Sequence, residues 1–395
     1  MSTTTEAGNY RIILVLNSGS SSLKFGLYRV ARSMIEMLVS GEAEAIGEPD
    51  AKFYAINAAG DSLLSETKPI ASQQDAVVRI EKLLIDGKFP PPVAIGHRVV
   101  HGGPRLLRHC LIDHGILAEL KAAIPFAPLH IPLALAVIRF AEEHFAGLPQ
   151  VACFDTIFHI DLPNVARTLP VPKALRSEGI RRYGFHGISC ESIVHQLTGN
   201  LPARLIVAHL GNGASVTAIR NGQSVDTSMG LTPTGGVIMG TRTGDLDPGV
   251  LMYLLREKGY DAAEVEDLVN HQSGLLGISG LASDMRLLHQ AASSNDDARL
   301  AVEMFCYSVR KQIAAMIAAL NGVDMVVFTG GIGEKDEVVR AMICEGLAWA
   351  GIGQPEMLSW TLREVVPGNN VRLLPSRENE QIARHAWSLH NTTSD

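Results

Sequence analysis

The sequence predicts a mixed α/β fold made of two related halves, and three observations carry that prediction. Short apolar, β-branched runs recur at residues 11–16, 93–100, 150–154, 204–210 and 324–328, each leading into polar or Gly-rich residues. Residues 298–320 keep an apolar face at helical spacing. A hairpin with a small-residue tip appears twice, nearly half a chain apart, which is too long a period for a solenoid and suits two domains of one design.

The first copy runs through residues 11–16, the turn Asn17-Ser18-Gly19-Ser20-Ser21-Ser22 and a return over 23–30. The second runs through 204–210, the tip Gly211-Asn212-Gly213-Ala214-Ser215 and a return over 216–220. An Asn221-Gly222 turn then leads into a third strand over 223–227. Pro- and Gly-rich joints at 89–92, 170–172 and 232–236 are turns between elements and too short to be linkers.

Composition narrows the function. The 395 residues are 46% hydrophobic, with 34 Lys and Arg against 41 Asp and Glu, so the formal net charge of −7 offers no broad basic field for nucleic acid or anionic lipid. The apolar stretch at 313–320 falls far short of the ~20 residues a membrane span needs. Five scattered cysteines without metal-ligand spacing, and a first ten residues without a secretory pattern, predict a cytoplasmic chain with reduced thiols. The partners expected are small molecules, with no nucleic acid and no membrane.

Three Gly-rich tips follow predicted strands: 17–22, 211–213 and Gly330-Gly331-Ile332-Gly333-Glu334. Backbone N–H groups at such tips can hold phosphate oxygens, with Lys24 as a nearby cation, although a Ser/Gly hairpin end by itself is also an ordinary turn. Neither a P-loop nor a Gly-x-Gly-x-x-Gly motif is present. Arg98, in His97-Arg98-Val99-Val100-His101-Gly102-Gly103, and Arg242, in Gly240-Thr241-Arg242-Thr243-Gly244, offer planar forks matched to phosphate and carboxylate, although for any single Arg a structural ion pair is the commoner role. The valines between His97 and His101 argue for a strand and against a helix-borne zinc motif. His186 stands between Phe185 and Gly187, Asp155 stands just past a strand end, and Glu378 is either a magnesium ligand or a solvated acid.

Taken in order, eight blocks resemble the acetate kinase family, within the acetate and sugar kinase, Hsp70 and actin superfamily. They are the segments 16–24, 96–103, 154–156, 182–187, 209–215, 239–242, 273–277 and 328–334. The resemblance implies duplicated ribonuclease H-like (actin-like ATPase) domains with an interdomain catalytic cleft, the first spanning 1–158 plus 380–395 and the second 159–379, and a homodimer. It implies Mg²⁺ (Mn²⁺ substituting) at Asn17 and Glu378. ATP would meet Lys24, the loop His209-Leu210-Gly211-Asn212-Gly213, the segment Asp284-Met285-Arg286 and the loop Gly331-Ile332-Gly333-Glu334-Lys335. Arg98, Asp155, His186 and Arg242 would form the reacting centre, with Val100, Leu129, Phe185 and Pro233 lining a pocket for the acetate methyl group.

The expected reaction is reversible γ-phosphoryl transfer from ATP to acetate, giving acetyl phosphate and ADP. The carboxylate is already ionised and needs no strong base, so Asp155 is expected to position groups or organise the metal. A propionate or broader short-chain acyl kinase, an actin- or chaperone-like nucleotide switch and a pyrophosphate-using variant are the alternatives. Departures from the family pattern are Ile131 after His130, Ile188 and Cys190 after Phe185-His186-Gly187, Thr234-Gly235 before Arg242, Lys335 after Glu334, and Asn379 beside Glu378.

Overall fold

The structure is a computed structural model that describes residues 10–19, 21–353 and 370–392. Ser20 of the first tip and the first nine residues lie outside them. The chain separates into two compact units, 1–157 with 377–395, and 158–376. The second crossing falls at Arg377, three residues before the expected 380, because Glu378 already begins the helix Glu378–Asn391 that packs on the first sheet.

The first unit is built on β1 (Arg11–Ser18), β2 (Leu23–Ala31), β3 (Met34–Glu44), β4 (Lys52–Asn57), β5 (Ser62–Thr67), β6 (Ala94–Val99), β7 (Cys110–Leu111) and β8 (Gln150–Phe154). Their order is β5-β4-β3-β2-β1-β6-β8-β7, with β1 antiparallel to β2 and parallel to β6. β1 is the central strand, and seven of its eight residues are buried, which is why it reads as an unbroken apolar run. Leu14, Leu16, Phe25 and Leu27 form one core with the helices Gln73–Asp86 and Ile131–His144, and Val99, Phe154, Leu120 and Ile131 form another. Helix Glu378–Asn391 packs on β6, β1 and β2, so closely that a Cβ at Gly96 would lie 2.6 Å from the Ile382 side chain.

The second unit holds β9 (Arg204–Leu210), β10 (Ala214–Arg220), β11 (Gln223–Thr227), β12 (Met325–Thr329) and β13 (Val371–Leu373) in the order β11-β10-β9-β12-β13. Order and direction repeat β3-β2-β1-β6-β8: two antiparallel pairings on one side of the centre and two parallel ones on the other. The fold is therefore duplicated, with β9 in the place of β1. The long helix Asp296–Leu320 packs on β9, β10 and β11, while helix Gly187–Gln196 adds Cys190 and Ile193 to a core of Leu205, Val207 and Val327.

Two expectations change in detail. The second tip is only Gly211-Asn212-Gly213, since Ala214 and Ser215 already pair with Leu210 and His209. The Gly331 to Lys335 segment is a helix, Gly330–Lys335, rather than a loop. Its fifth residue supports this: the Glu334 carboxylate reaches back and accepts from the Gly330 N–H (2.9 Å), closing the first turn.

Candidate active site in two parts

In the first unit, four side chains meet at the ends of β1, β6 and β8. Asn17 is the penultimate residue of β1, Arg98 lies in β6, Asp155 follows β8, and Glu378 opens its helix. Arg98 Nε lies 3.1 and 3.0 Å from the two Asp155 oxygens and Nη2 lies 2.5 Å from Oδ2, while Nη1 donates to Asn17 Oδ1 at 3.4 Å. Asn17 Nδ2 donates to Glu378 Oε2 (3.2 Å) and to Asn379 Oδ1 (3.1 Å).

Burial pushes the Asp155 carboxyl up, and the Arg98 guanidinium opposes that rise. Burial weighs against the charge on Arg98 too, but Asp155 and then Glu378 more than offset it. Two carboxylates thus face one guanidinium beside an amide oxygen. That hard-oxygen set with surplus negative charge fits a small divalent cation.

The Asn17 turn is braced from the side by a residue that no local motif announces. Gln73, buried at the start of its helix, donates from Nε2 to the carbonyls of Gly19 (3.2 Å) and Ser22 (3.1 Å). Lys24 is exposed on β2, in register between Asn17 on β1 and Glu42 on β3. Val100 is buried just past β6 and Leu129 is half-buried in the turn before helix Ile131–His144. His97 points to Gln150, with Nε2 2.6 Å from Oε1, and burial lowers its pKa from 6.5 to about 4.

In the second unit, His186 carries φ 56°, a left-handed conformation that a non-Gly residue adopts at a cost of order 1–3 kcal/mol. The surroundings hold it there. His159 donates from Nε2 to the Phe185 carbonyl (3.1 Å), and its Nδ1 pairs with Ser224 Oγ (2.8 Å). Burial lowers the His159 pKa to about 4, so this ring is neutral near pH 7. Arg182 bonds the carbonyls of Ala166 (3.1 Å) and Thr227 (2.6 Å), fixing the backbone that leads into the same corner.

The His186 ring stacks on His209 with centroids 4.2 Å apart, and its Nδ1 lies 3.0 Å from Ser215 Oγ. A Cβ added at Gly213 would stand 3.2 Å from His186 Nε2 and 3.8 Å from Arg242 Nη1, so the tip, the histidine and the arginine converge. Arg242 Nη1 also donates to the carbonyl of Pro233, which is buried. The loop bearing Arg242 is clasped on both sides: Gly240 N–H donates to the Asn212 carbonyl, and Ser273 and Leu275 N–H groups donate to the carbonyls of Thr241 and Met239. Gly274, at φ 61°, permits that clasp, since a Cβ there would fall 2.1 Å from the Met239 oxygen.

The remaining sequence-predicted positions also lie in this unit. Asp284 caps helix Met285–Ala291 and holds Arg286, whose hydrogen bond keeps the carboxyl below its usual range. Met285 is buried, Arg286 is exposed. His289 on the same helix meets Asp336 (2.8 Å), the residue after Lys335, so the two segments expected to take ATP are tied together. Glu334 Oε1 accepts from Gly330 N (2.9 Å) and Ser376 N (3.0 Å), tying the start of helix Gly330–Lys335 to Ser376.

A duplicated fold with Gly-rich tips, an arginine beside each and an oxygen cluster suited to a cation defines a phosphotransferase of the kinase type. The comparisons agree. The acetokinase family model matches residues 12–367, and the chain belongs to that family. It is 41% identical over 408 aligned residues to an acetate kinase of Chloroherpeton thalassium, covering 95% of this chain and 98% of that protein. It is 40% identical over 393 residues to one of Rhodopseudomonas palustris, covering 96% and 98%. Among solved structures, a propionate kinase from Francisella tularensis superposes with a TM-score of 0.86 at 37% identity, over 96% of this chain and 100% of that one. An acetate kinase from Porphyromonas gingivalis gives 0.82 at 34%, with the same coverage.

Proposed function

We propose that this chain transfers the γ-phosphoryl group of ATP to acetate, reversibly, giving acetyl phosphate and ADP. The observation that carries the reading is the Arg98–Asp155 pair, its carboxylate buried, beside Asn17 and Glu378 in a chain of this family. An acetate oxygen attacks the γ-phosphorus in line, a P–O bond to the acetate forms, and the bond from phosphorus to the bridging oxygen breaks, leaving ADP. The nucleophile has no proton to lose, so no base is assigned. Arg98 and Arg242 offset the repulsion between anions, and His186 and the Gly211-Asn212-Gly213 tip hold phosphoryl oxygens. Asp155 fixes the orientation of the Arg98 fork.

Asn17 and Glu378 would hold Mg²⁺, or Mn²⁺ in its place, and Asn379, amide rather than acid, leaves the charge there to Glu378. The ion would supply charge neutralisation on the phosphates. Lys24, Asp284, Met285, Arg286 and residues 331–335 are proposed for ATP, and Val100, Leu129, Phe185 and Pro233 for the acid. The test is Mg²⁺-ATP-dependent acyl phosphate formation, trapped as hydroxamate, with acetate, propionate and butyrate at equal subsaturating concentration. Acetate should give the most product. The likeness to a structure named a propionate kinase keeps propionate as the second reading, and a win for propionate would establish it. Acid-independent ATP hydrolysis without product would instead indicate a nucleotide switch.

We propose a homodimer as well. Helix Pro248–Glu257 has no buried residue and exposes Val250, Met252, Tyr253 and Leu255. Light scattering on the purified chain should give twice the monomer mass. Among the described residues no helix is long and apolar enough to cross a membrane. The five cysteines are free thiols, which suits the reducing cytoplasm proposed for it.

A further inference from the structure

A chain of hydroxyls stands behind His209. Its Nδ1 lies 2.8 Å from Ser189 Oγ, Ser376 Oγ donates to Ser189 Oγ at 3.0 Å, and the Ser376 N–H donates to Glu334 Oε1 at 3.0 Å. Ser189 is fully buried, one turn into the helix that His186 caps, and Glu334 closes the segment expected to meet nucleotide. The direction of this chain has a chemical consequence. With its oxygen accepting from Ser376, Ser189 directs its own proton at His209 Nδ1, and a neutral imidazole that accepts at Nδ1 carries its proton on Nε2.

Nε2 is the nitrogen turned toward the glycine tip: a Cβ added at Gly211 would lie 4.0 Å from it, just as one at Gly213 would lie 3.2 Å from Nε2 of the stacked His186. Both rings present the same edge to the same loop, and both have a serine hydroxyl at Nδ1. We propose that Ser189 is a positioning residue, oriented by Ser376, that fixes His209 as its Nε2–H tautomer so that the ring donates to a phosphoryl oxygen of the nucleotide beside His186. The donor role rests on the kinase reading; the tautomer does not.

The test uses the full chain with ¹⁵N-labelled histidine, whose long-range ring spectra report which nitrogen carries the proton without any nucleotide present. The unaltered protein should give His209 as Nε2–H. Ser189→Ala should shift His209 toward Nδ1–H and lower kcat about tenfold with KM for acetate nearly unchanged, in the range expected when an orienting partner of a functional histidine is lost. Ser189→Thr, which keeps the hydroxyl, should restore both. Ser376→Ala, farther from the ring, should move the spectrum the same way by less. An Nδ1–H tautomer in the unaltered protein, or an unchanged spectrum and kcat in Ser189→Ala, would overturn the assignment. An Nε2–H ring in a protein that makes no acyl phosphate would leave the tautomer standing and overturn the donor role along with the kinase reading.

Discussion

Arg98 and Asp155, 57 residues apart in sequence, form a three-contact ion pair in which the carboxylate is almost wholly buried and the arginine turns Nη1 to Asn17 instead. Removing one partner strands a charge in a site that cannot solvate it. Arg98→Ala should therefore lose about 3 kcal/mol of stability at neutral pH together with orders of magnitude in turnover. The double variant Arg98→Leu with Asp155→Leu should recover much of the stability and none of the activity. Urea denaturation beside acyl phosphate kinetics separates the two effects, and near-normal turnover in Arg98→Ala would refute its catalytic role.

Arg242 is held less deeply. Its half-buried side chain bonds the Pro233 carbonyl, and its loop is clasped by Asn212 and by Ser273 and Leu275 through backbone bonds that an alanine keeps. Arg242→Ala should cost no more than about 1 kcal/mol in stability. It should lower kcat by about 10²–10³-fold, as the loss of a donor to a charged transition state does. A stable protein with unimpaired kcat would remove Arg242 from the reacting centre.

Val100 is 8% exposed, immediately after the strand that carries Arg98. Shortening it to alanine makes room for one more methylene, worth ~1–3 kcal/mol of discrimination at most. Val100→Ala should raise kcat/KM for propionate relative to acetate by about tenfold, measured in the hydroxamate assay. An unchanged ratio would take Val100 out of the acid pocket.

The central hairpins were legible in the sequence because β1 and β9 are mostly buried, and such strands read as apolar runs of β-branched residues and Leu. The strands β3 to β5 were not, since Met34–Glu44 mixes charged and apolar residues and is mostly only half-buried. Motifs pointed to the candidate site residues but not to their partnerships. Nothing local pairs Arg98 with Asp155, Gln73 with the Gly19 and Ser22 carbonyls, or Ser189 with Ser376, because tertiary folding alone brings these positions together. The backbone contacts of Glu334 were equally illegible, since its carboxylate accepts from the N–H groups of Gly330 and of Ser376, 42 residues away.

Glu378 accepts from Asn17 and supplies the charge that Asn379 lacks. Glu378→Gln keeps an oxygen acceptor for Asn17, so the fold should persist within ~1 kcal/mol. The Mg²⁺ concentration for half-maximal activity should rise at least about tenfold, a loss of one anionic donor from a hard-cation site. Titration of activity with Mg²⁺ at fixed ATP reads this directly. An unaltered requirement would mean that the cation is held elsewhere.

His97 and His159 give each unit its own acid sensitivity. Both are fully buried and neutral, with burial lowering each pKa from 6.5 to about 4. In the unfolded chain they take up protons as pH falls through 6.5, whereas in the folded chain they resist until about 4. The unfolded state thus binds more protons across that window, and stability falls with falling pH, most steeply between 6.5 and 4. From pH 7 to pH 5 each histidine should account for about 2 kcal/mol of the loss. His97→Gln keeps a neutral hydrogen-bonding group opposite Gln150 and should remove its share of the slope for the first unit; His159→Gln should do the same for the second. Urea denaturation at the two pH values measures the difference, and a slope that survives both substitutions would show that neither ring is the acid-sensitive group.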